Sequence, residues 1–245
     1  MSIERRNFPQ FFITAPSPCP YLPGRLERKV FTHLVGPDAR HMNSNLSQTG
    51  FRRSQNIAYR PACDGCGACS STRVPVKSFN WTKGFRRILR QNEDVTSIVK
   101  PAKATSELYS LFRTYIDDRH SEGGMAEMSV LDFSAMVDDT LVDSRIVEYR
   151  TPTAYEPQGE LIAAVLVDVL GDGVSLIYSF YDPAMAKRSL GSFVILDMIR
   201  RAERMGLPYV YLGFYVAGSP KMTYKGRFMP QERLTPDGWV LRQID

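Results

Sequence analysis

Three cysteines stand at three-residue steps, Cys63-x-x-Cys66-x-x-Cys69, with Gly65 and Gly67 between them. Thiolates at that spacing, on backbone free to turn tightly, suit zinc or an iron–sulfur cluster. Left unligated, they read as redox-sensitive thiols. Cys19 is the first candidate for a fourth ligand, with His33 and His41 behind it. A second set mixes cations and rings: Arg52, Arg53, Tyr59, Arg60, Arg73, Trp81, Arg86, Arg87 and Arg90. Arginines at these intervals can follow nucleic-acid phosphates while Tyr59 or Trp81 offers a stacking face to an unpaired base; the plain alternative is a solvated basic surface.

Two further sets lie in the C-terminal half. Arg188-Ser189-Leu190-Gly191-Ser192-Phe193 opens a helical segment, and free N–H groups at a helix start form an anion cradle that Arg188 would strengthen. The stretch resembles the pyrophosphate loop of GCN5-related (GNAT) acyltransferases, Gln/Arg-x-x-Gly-x-Gly/Ala, except that bulky Phe193 occupies the last small position and disfavours coenzyme A. A simple helix cap is the other reading. In YLGFYVAGSPKMTYKGRF, an apolar strand runs into Gly213 and Gly218. That places Tyr215, Ser219, Lys221, Tyr224 and Lys225 where an α/β sheet opens at a strand's C-terminal end, with Lys and Tyr fit to bind carboxylate or phosphate or to polarise a carbonyl. The same residues also read as a basic turn beside aromatic packing. His120, next to Asp117 and Asp118, reads as a solvated helix-end residue rather than a base.

The elements that must position these groups fall into three zones. Up to about residue 78, Pro16, Pro18, Pro20 and Pro23 deny helix, and short strands such as RKVFTHLV are predicted. A short basic helix follows over 82–90, with Ile88 and Leu89 inward and Arg86, Arg87 and Arg90 outward, and then a strand VTSIVK. Leu108, Leu111, Phe112, Tyr115 and Ile116 share a helical face, and LDFSAMVDDTLV predicts a second helix. SRIVEYR and ELIAAVLVDVL are apolar runs of ambiguous period. The turn Gly171-Asp172-Gly173 predicts a hairpin, a long helix starts after Asp182-Pro183 and ends at Gly206, and LPYVYLGFY is a buried strand. The order gives an α+β or α/β fold on a mixed sheet, with a boundary near residue 102 between an N-terminal Cys-rich basic domain (1–102) and a C-terminal domain (103–245).

Charge is unevenly distributed. Residues 1–100 carry 16 Lys and Arg against 6 Asp and Glu, whereas the remainder carries 15 against 20, so a polyanion is drawn to the N-terminal part. The longest apolar run, Leu161–Val167, is far short of the roughly 20 residues of a membrane span. No secretory signal is visible at the N-terminus, and a cytoplasmic protein with reduced cysteines is expected.

Taken together, GFRRSQNIAYRPACDGCGACSSTRVPV, the block from RSLGSF to KMTYKGRFMPQERL, and the early CPYLPGR resemble the bacterial aspartate/glutamate leucyltransferase family, a branch of the arginyl-tRNA–protein transferases, over nearly the whole chain. The resemblance implies a GNAT-like transferase that moves leucine from leucyl-tRNA to the α-amine of proteins beginning with Asp or Glu, making N-degron substrates for proteolysis; no DNA or membrane partner and no cofactor for transfer are implied. On that footing Tyr178, Tyr181, Tyr211 and Tyr215 are expected to line the reaction crevice, and Lys221, Lys225 or Arg188 to meet the acceptor carboxylate. The tRNA acceptor stem is expected to cross the basic N-terminal surface. An arginyl donor, a coenzyme A-dependent N-acetyltransferase, and a redox-sensing tRNA-binding module without transfer are the alternatives.

Overall fold

The structure is a computed structural model that describes residues 9–119, 124–154 and 157–242; His120 lies outside them. The N-terminal part contains β1 (Phe12–Ile13), β2 (Ser17–Pro18), β3 (Leu26–Glu27), β4 (Lys29–His33), α1 (Ala39–Gln48), β5 (Arg52–Ser54) and β6 (Ile57–Pro61). Strands β1-β4-β6-β5 form one four-stranded sheet. Next come β7 (Cys69–Pro75), α2 (Lys83–Gln91), β8 (Thr96–Pro101), α3 (Ser106–Arg119), α4 (Val130–Asp138), β9 (Ser144–Thr151), β10 (Glu160–Val169), β11 (Gly173–Tyr181), α5 (Leu190–Arg204), β12 (Tyr209–Val216), β13 (Gln231–Thr235) and β14 (Gly238–Arg242).

Eight of these strands make one mixed sheet in the order β14-β13-β7-β12-β11-β10-β9-β8. Both β7 and β8, from before residue 102, belong to it, so the expected boundary does not separate the sheet. Among the described residues only β11 and β12 pair in parallel, and the crossover between them is α5. Side chains of α5 and α2 pack on one face in a core with Ile162, Val165 and Leu212; those of α3 and α4 pack on the other with Leu161, Ala164 and Phe180. Helices on both faces explain why ELIAAVLVDVL shows no clean alternation: a strand buried on both sides is apolar at every step.

The helix ends follow local chemistry. Thr82 caps α2 by accepting from the Phe85 N–H, Ser129 and Asp132 form a capping box on α4, and Gly206 adopts φ 69° just beyond α5. Before α5, a 3₁₀ turn covers Pro183–Arg188 and Ser189 turns left-handed at φ 53°, so the long helix starts at Leu190 rather than at the Asp182-Pro183 step. Helix α1 has no counterpart in the sequence expectation. Its buried positions are Ala39, Asn43, Leu46 and Ser47, and two polar residues in the stripe erase the apolar period.

Arg53 and Asp168 tie the small sheet to the large one. Arg53 Nε and Nη2 donate to the two Asp168 carboxylate oxygens at 2.7 and 2.8 Å, with both side chains about 1% exposed, and Ser144 Oγ and Asn43 Nδ2 complete the acceptor's partners. A buried pair with every hydrogen bond made is tolerated, but removing one partner strands the other charge. Asp168→Ala is therefore expected to cost about 3–5 kcal/mol, read by denaturant unfolding, and Arg53→Met with Asp168→Leu is expected to regain most of it. A loss below 1 kcal/mol for Asp168→Ala would contradict the role.

Candidate active site

Strands β11 and β12 hydrogen-bond only over Gly173–Ser175 and Tyr209–Tyr211; beyond that they part, although β11 runs on to Tyr181 and β12 to Val216. Carbonyls that would have joined a ladder face the gap and need donors. Arg52, on β5, supplies them: Nη1 donates to the Leu212 carbonyl at 3.2 Å, and Nη2 donates to those of Leu176 and Ile177 at 3.0 and 2.9 Å. The guanidinium fits because β12 has an irregular register between Tyr211 and Gly213, and Gly213 holds φ 78°; a Cβ there would stand 1.1 Å from Arg52 Nη1. Deeper in the same opening, Lys225 Nζ donates to the Phe214 carbonyl at 2.8 Å.

A cleft of about 940 Å³ opens from this split. Its walls come from β11 (Tyr178, Tyr181), the start of α5 (Ser189, Gly191, Ser192), β12 (Phe214), the 3₁₀ turn Pro220–Arg227 (Lys221, Tyr224, Lys225), α3 (Tyr115, Arg119), and Tyr21 and Tyr59 of the N-terminal part. Arg52, Arg119, Lys221 and Lys225 bring positive charge to it, and among the described residues no Asp, Glu or His lines it. Burial keeps the phenols protonated: Tyr21 and Tyr178 are pushed up to about 12, and Tyr115 and Tyr224 are also raised. Lys225, 6% exposed, is lowered to about 7 by burial first and by the Arg52 charge second.

Of the residues expected from sequence, Tyr178, Tyr181, Ser189, Gly191, Lys221, Tyr224, Lys225, Tyr59 and Arg52 meet in this cleft. Others do not. Tyr211 is buried outside it, where its hydroxyl donates to Asp172 and accepts from Arg73 and its ring meets Trp239 edge-on. Tyr215 lies under the Arg233 guanidinium at 3.8 Å, and Ser219 is buried beyond the cleft wall. Arg188 forms a bidentate pair with Asp94 at 2.8 Å, holding Asp94 down at about 2, so it clamps the entry to α5 rather than cradling an anion. Gly191 gives room to the Tyr181 ring, which a Cβ would meet at 3.0 Å; that ring lies against the helix start where a pyrophosphate loop would hold its ligand.

The basic set divides similarly. Arg53 also borders the cleft, but its guanidinium is the buried partner of Asp168. Arg73 is also internal, paired with Glu232 at 2.6 Å and sandwiched by Tyr209 and Trp239. Arg52 is wedged in the strand split rather than spread on the surface. Trp81 packs edge-on against Phe79 with Arg200 over its ring, and exposed Arg60 covers Phe51. Arg86, Arg87 and Arg90 project from α2, and Arg86 and Arg90 join Lys83 and Arg200 around a surface hollow of about 590 Å³. Arg200, Tyr21, Tyr115, Arg119 and Phe214 were not foreseen; the helical spacing of Tyr115 marked it as core, and the rest carried no motif.

Cys19, Cys63, Cys66 and Cys69 are half-buried free thiols. They share one neighbourhood: Cys69 is pushed up to about 11 by burial and then by the other three, while a hydrogen bond from the Ala68 backbone lowers Cys66. The four thiols are chemically apt for zinc or a cluster, yet among the described residues no three Cys, His, Asp or Glu side chains gather closely enough to hold a metal ion.

Two family models match the chain: "Arginine-tRNA-protein transferase, N terminus" over residues 17–87 and "Arginine-tRNA-protein transferase, C terminus" over residues 107–235. Among curated proteins, the aspartate/glutamate leucyltransferase of Xanthobacter autotrophicus is 59% identical over 244 residues, and that of Azorhizobium caulinodans 57%, each alignment covering 98% of both chains. Among solved structures, FemX superposes with a TM-score of 0.48 at 11% identity, covering 77% of this chain and 63% of its own, and L-PGS from Bacillus licheniformis with 0.47 at 13%, covering 74% and 52%.

Gly213→Ala is expected to destabilise by about 1–3 kcal/mol from overpacking and about 1–2 more from the left-handed backbone, and to abolish activity by displacing Arg52. Calorimetry and transfer assays read the two effects. A stable, active variant would contradict the wedge.

Proposed function

From the premise that this chain belongs to the arginine-tRNA–protein transferase family and is an aminoacyltransferase, we propose that it moves leucine from leucyl-tRNA to the α-amine of proteins that begin with Asp or Glu. The observation that carries the reading is the cleft at the strand split, rich in Arg and Lys and, among the described residues, without a carboxylate. Both substrates are anionic near the reacting atoms, one at the tRNA phosphates and one at the acceptor side chain. The fold is read as GNAT-like, supported by neighbouring parallel strands that part beside the N-terminus of α5. An N-acetyltransferase is disfavoured by the Tyr181 ring on the helix start and by Phe193, which is buried against Tyr149. The leucyltransferase names of the two relatives favour leucine over arginine as donor.

The reaction asks for positioning more than for strong acid or base. An aminoacyl ester is already activated, so holding an amine against its carbonyl and stabilising the oxyanion lower the barrier without a cofactor. Tyr178 and Tyr224, kept protonated by burial, stand as hydrogen-bond donors along the wall, and Tyr181 lines it beside them. The terminal adenosine stacks in the cleft, and the acceptor stem runs toward α2, where Arg86, Arg90 and Arg200 meet phosphates. With Arg188 held by Asp94 and Lys225 lowered to about 7, exposed Lys221 is, of the three cations expected to meet the acceptor carboxylate, the one left to do so. We place the reaction in the cytoplasm, where charged tRNA is made; among the described residues no helix is long and apolar enough to cross a membrane. The cysteines are assigned no part in transfer.

The test is transfer of radiolabelled leucine from leucyl-tRNA to a peptide beginning with Asp. Labelled product is expected with leucyl-tRNA and not with arginyl-tRNA or acetyl-coenzyme A. Affinity for leucyl-tRNA should fall steeply with salt. Lys221→Met is expected to reduce the preference for Asp over Asn at the peptide's first position by about tenfold, the worth of a hydrogen bond to a charged group. An unlengthened peptide contradicts the function, and undiminished preference contradicts the role of Lys221.

A further inference from the structure

We infer that Lys225 is the general base of the transfer, taking the proton that the acceptor's α-ammonium must lose before it attacks the ester. The inference rests on the function proposed above. It starts from an elimination: among the described residues, no Asp, Glu or His lines the cleft. The arginines Arg52, Arg53 and Arg119 cannot give up a proton near neutral pH, and Lys221 is exposed on the rim. Burial makes Tyr115, Tyr178 and Tyr224 weaker acids still. Lys225 is left as the one group among them that can exchange a proton near pH 7.

Its geometry fits that task. The side chain is 6% exposed yet reaches the cleft, and Nζ donates one hydrogen to the Phe214 carbonyl at 2.8 Å, which fixes the nitrogen at the strand split. The charge set against it is the Arg52 guanidinium from β5; the other titratable or charged groups lining the cleft are Lys221 and Tyr224 on its own turn, Tyr178 and Tyr181 on β11, Tyr115 and Arg119 on α3, and Tyr21, Arg53 and Tyr59 of the N-terminal part. Without a carboxylate beside it, burial and Arg52 both favour the neutral amine, which has a lone pair to offer. A lysine meant to grip the acceptor carboxylate would be better served by remaining charged.

The proton balance closes. Neutral Lys225 takes one proton from the α-ammonium, and the freed nitrogen lone pair forms the bond to the leucyl carbonyl carbon. As the bond from that carbon to the ribose oxygen breaks, protonated Lys225 returns its proton to the leaving oxygen. The nitrogen's second proton departs through the same amine to water, so one amide, one tRNA hydroxyl and one proton are formed.

The test measures kcat/KM for transfer to an Asp-start peptide from pH 6 to 9.5 in wild type, Lys225→Met and Lys225→Arg. General-base catalysis is worth about 10²–10⁴-fold. Both variants are therefore expected to lose about 100-fold or more at pH 6.5, the gap narrowing to within about tenfold at pH 9, where the α-amine, with a reference pKa of about 8, deprotonates unaided. Nitrogen NMR of wild type, which needs no donor, should show one lysine Nζ titrating near neutral pH that disappears in Lys225→Arg. A loss equal at every pH, unchanged rates, lost Asp-over-Asn preference with an unaltered pH profile, or an Nζ still protonated at pH 9 overturns the inference while leaving the leucyltransferase reading intact. A wild type that transfers nothing overturns both.

Discussion

The structure depends on one cation placed between two strands. Where β11 and β12 part, three carbonyls turn into the gap, and the Arg52 guanidinium satisfies all three while keeping the strands from closing. A buried carbonyl without a donor costs about 1–3 kcal/mol, so collapse into a continuous ladder would otherwise be favoured. Gly213 is the reciprocal condition, because any side chain there would occupy the position of the guanidinium. The cleft, the exposure of Lys225 to it and the approach to the start of α5 all follow from that separation.

The same wedge sets the electrostatics. Lys225 is lowered to about 7 by burial and then by the charge of the Arg52 guanidinium nearby. Buried cations unpaired with carboxylates are costly for folding, and they are retained here at the place where anionic substrates would supply the missing charge. Elsewhere the chain pairs its buried arginines carefully: Arg53 with Asp168, Arg73 with Glu232, and Arg150 with Glu107 and Glu148. These closed pairs hold the fold, whereas Arg52 and Lys225 in the cleft donate to backbone carbonyls.

Much of the architecture was legible because it rests on local rules: the basic helix α2 with its Thr82 cap, the core face of α3, the β10–β11 hairpin and the Gly206 stop of α5. What escaped was tertiary. Arg52 and Arg53 are adjacent and alike in sequence, but alternation along β5 sends one into the strand split and the other to a buried carboxylate 115 residues away. Tyr211 and Tyr215 were expected in the crevice from their strand; the cleft instead receives Phe214, while their rings meet Trp239 and Arg233. The Arg188 motif carried no sign of Asp94, its partner across the start of α5. Lys221, Tyr224 and Lys225 line the cleft as their sequence position suggested, because a Gly-rich turn after a buried strand marks a sheet's open end.

The claim at the centre is that the charged end of the tRNA sits in the opening that Arg52 maintains. It is tested most directly by a crystal structure of the protein with a non-hydrolysable amide analogue of 3′-leucyl-adenosine. The account predicts the leucyl carbonyl in the split between β11 and β12, within reach of Lys225 Nζ, with the adenine among the cleft tyrosines. An analogue bound at the α2 hollow or beside Trp239, with the split vacant, would contradict it.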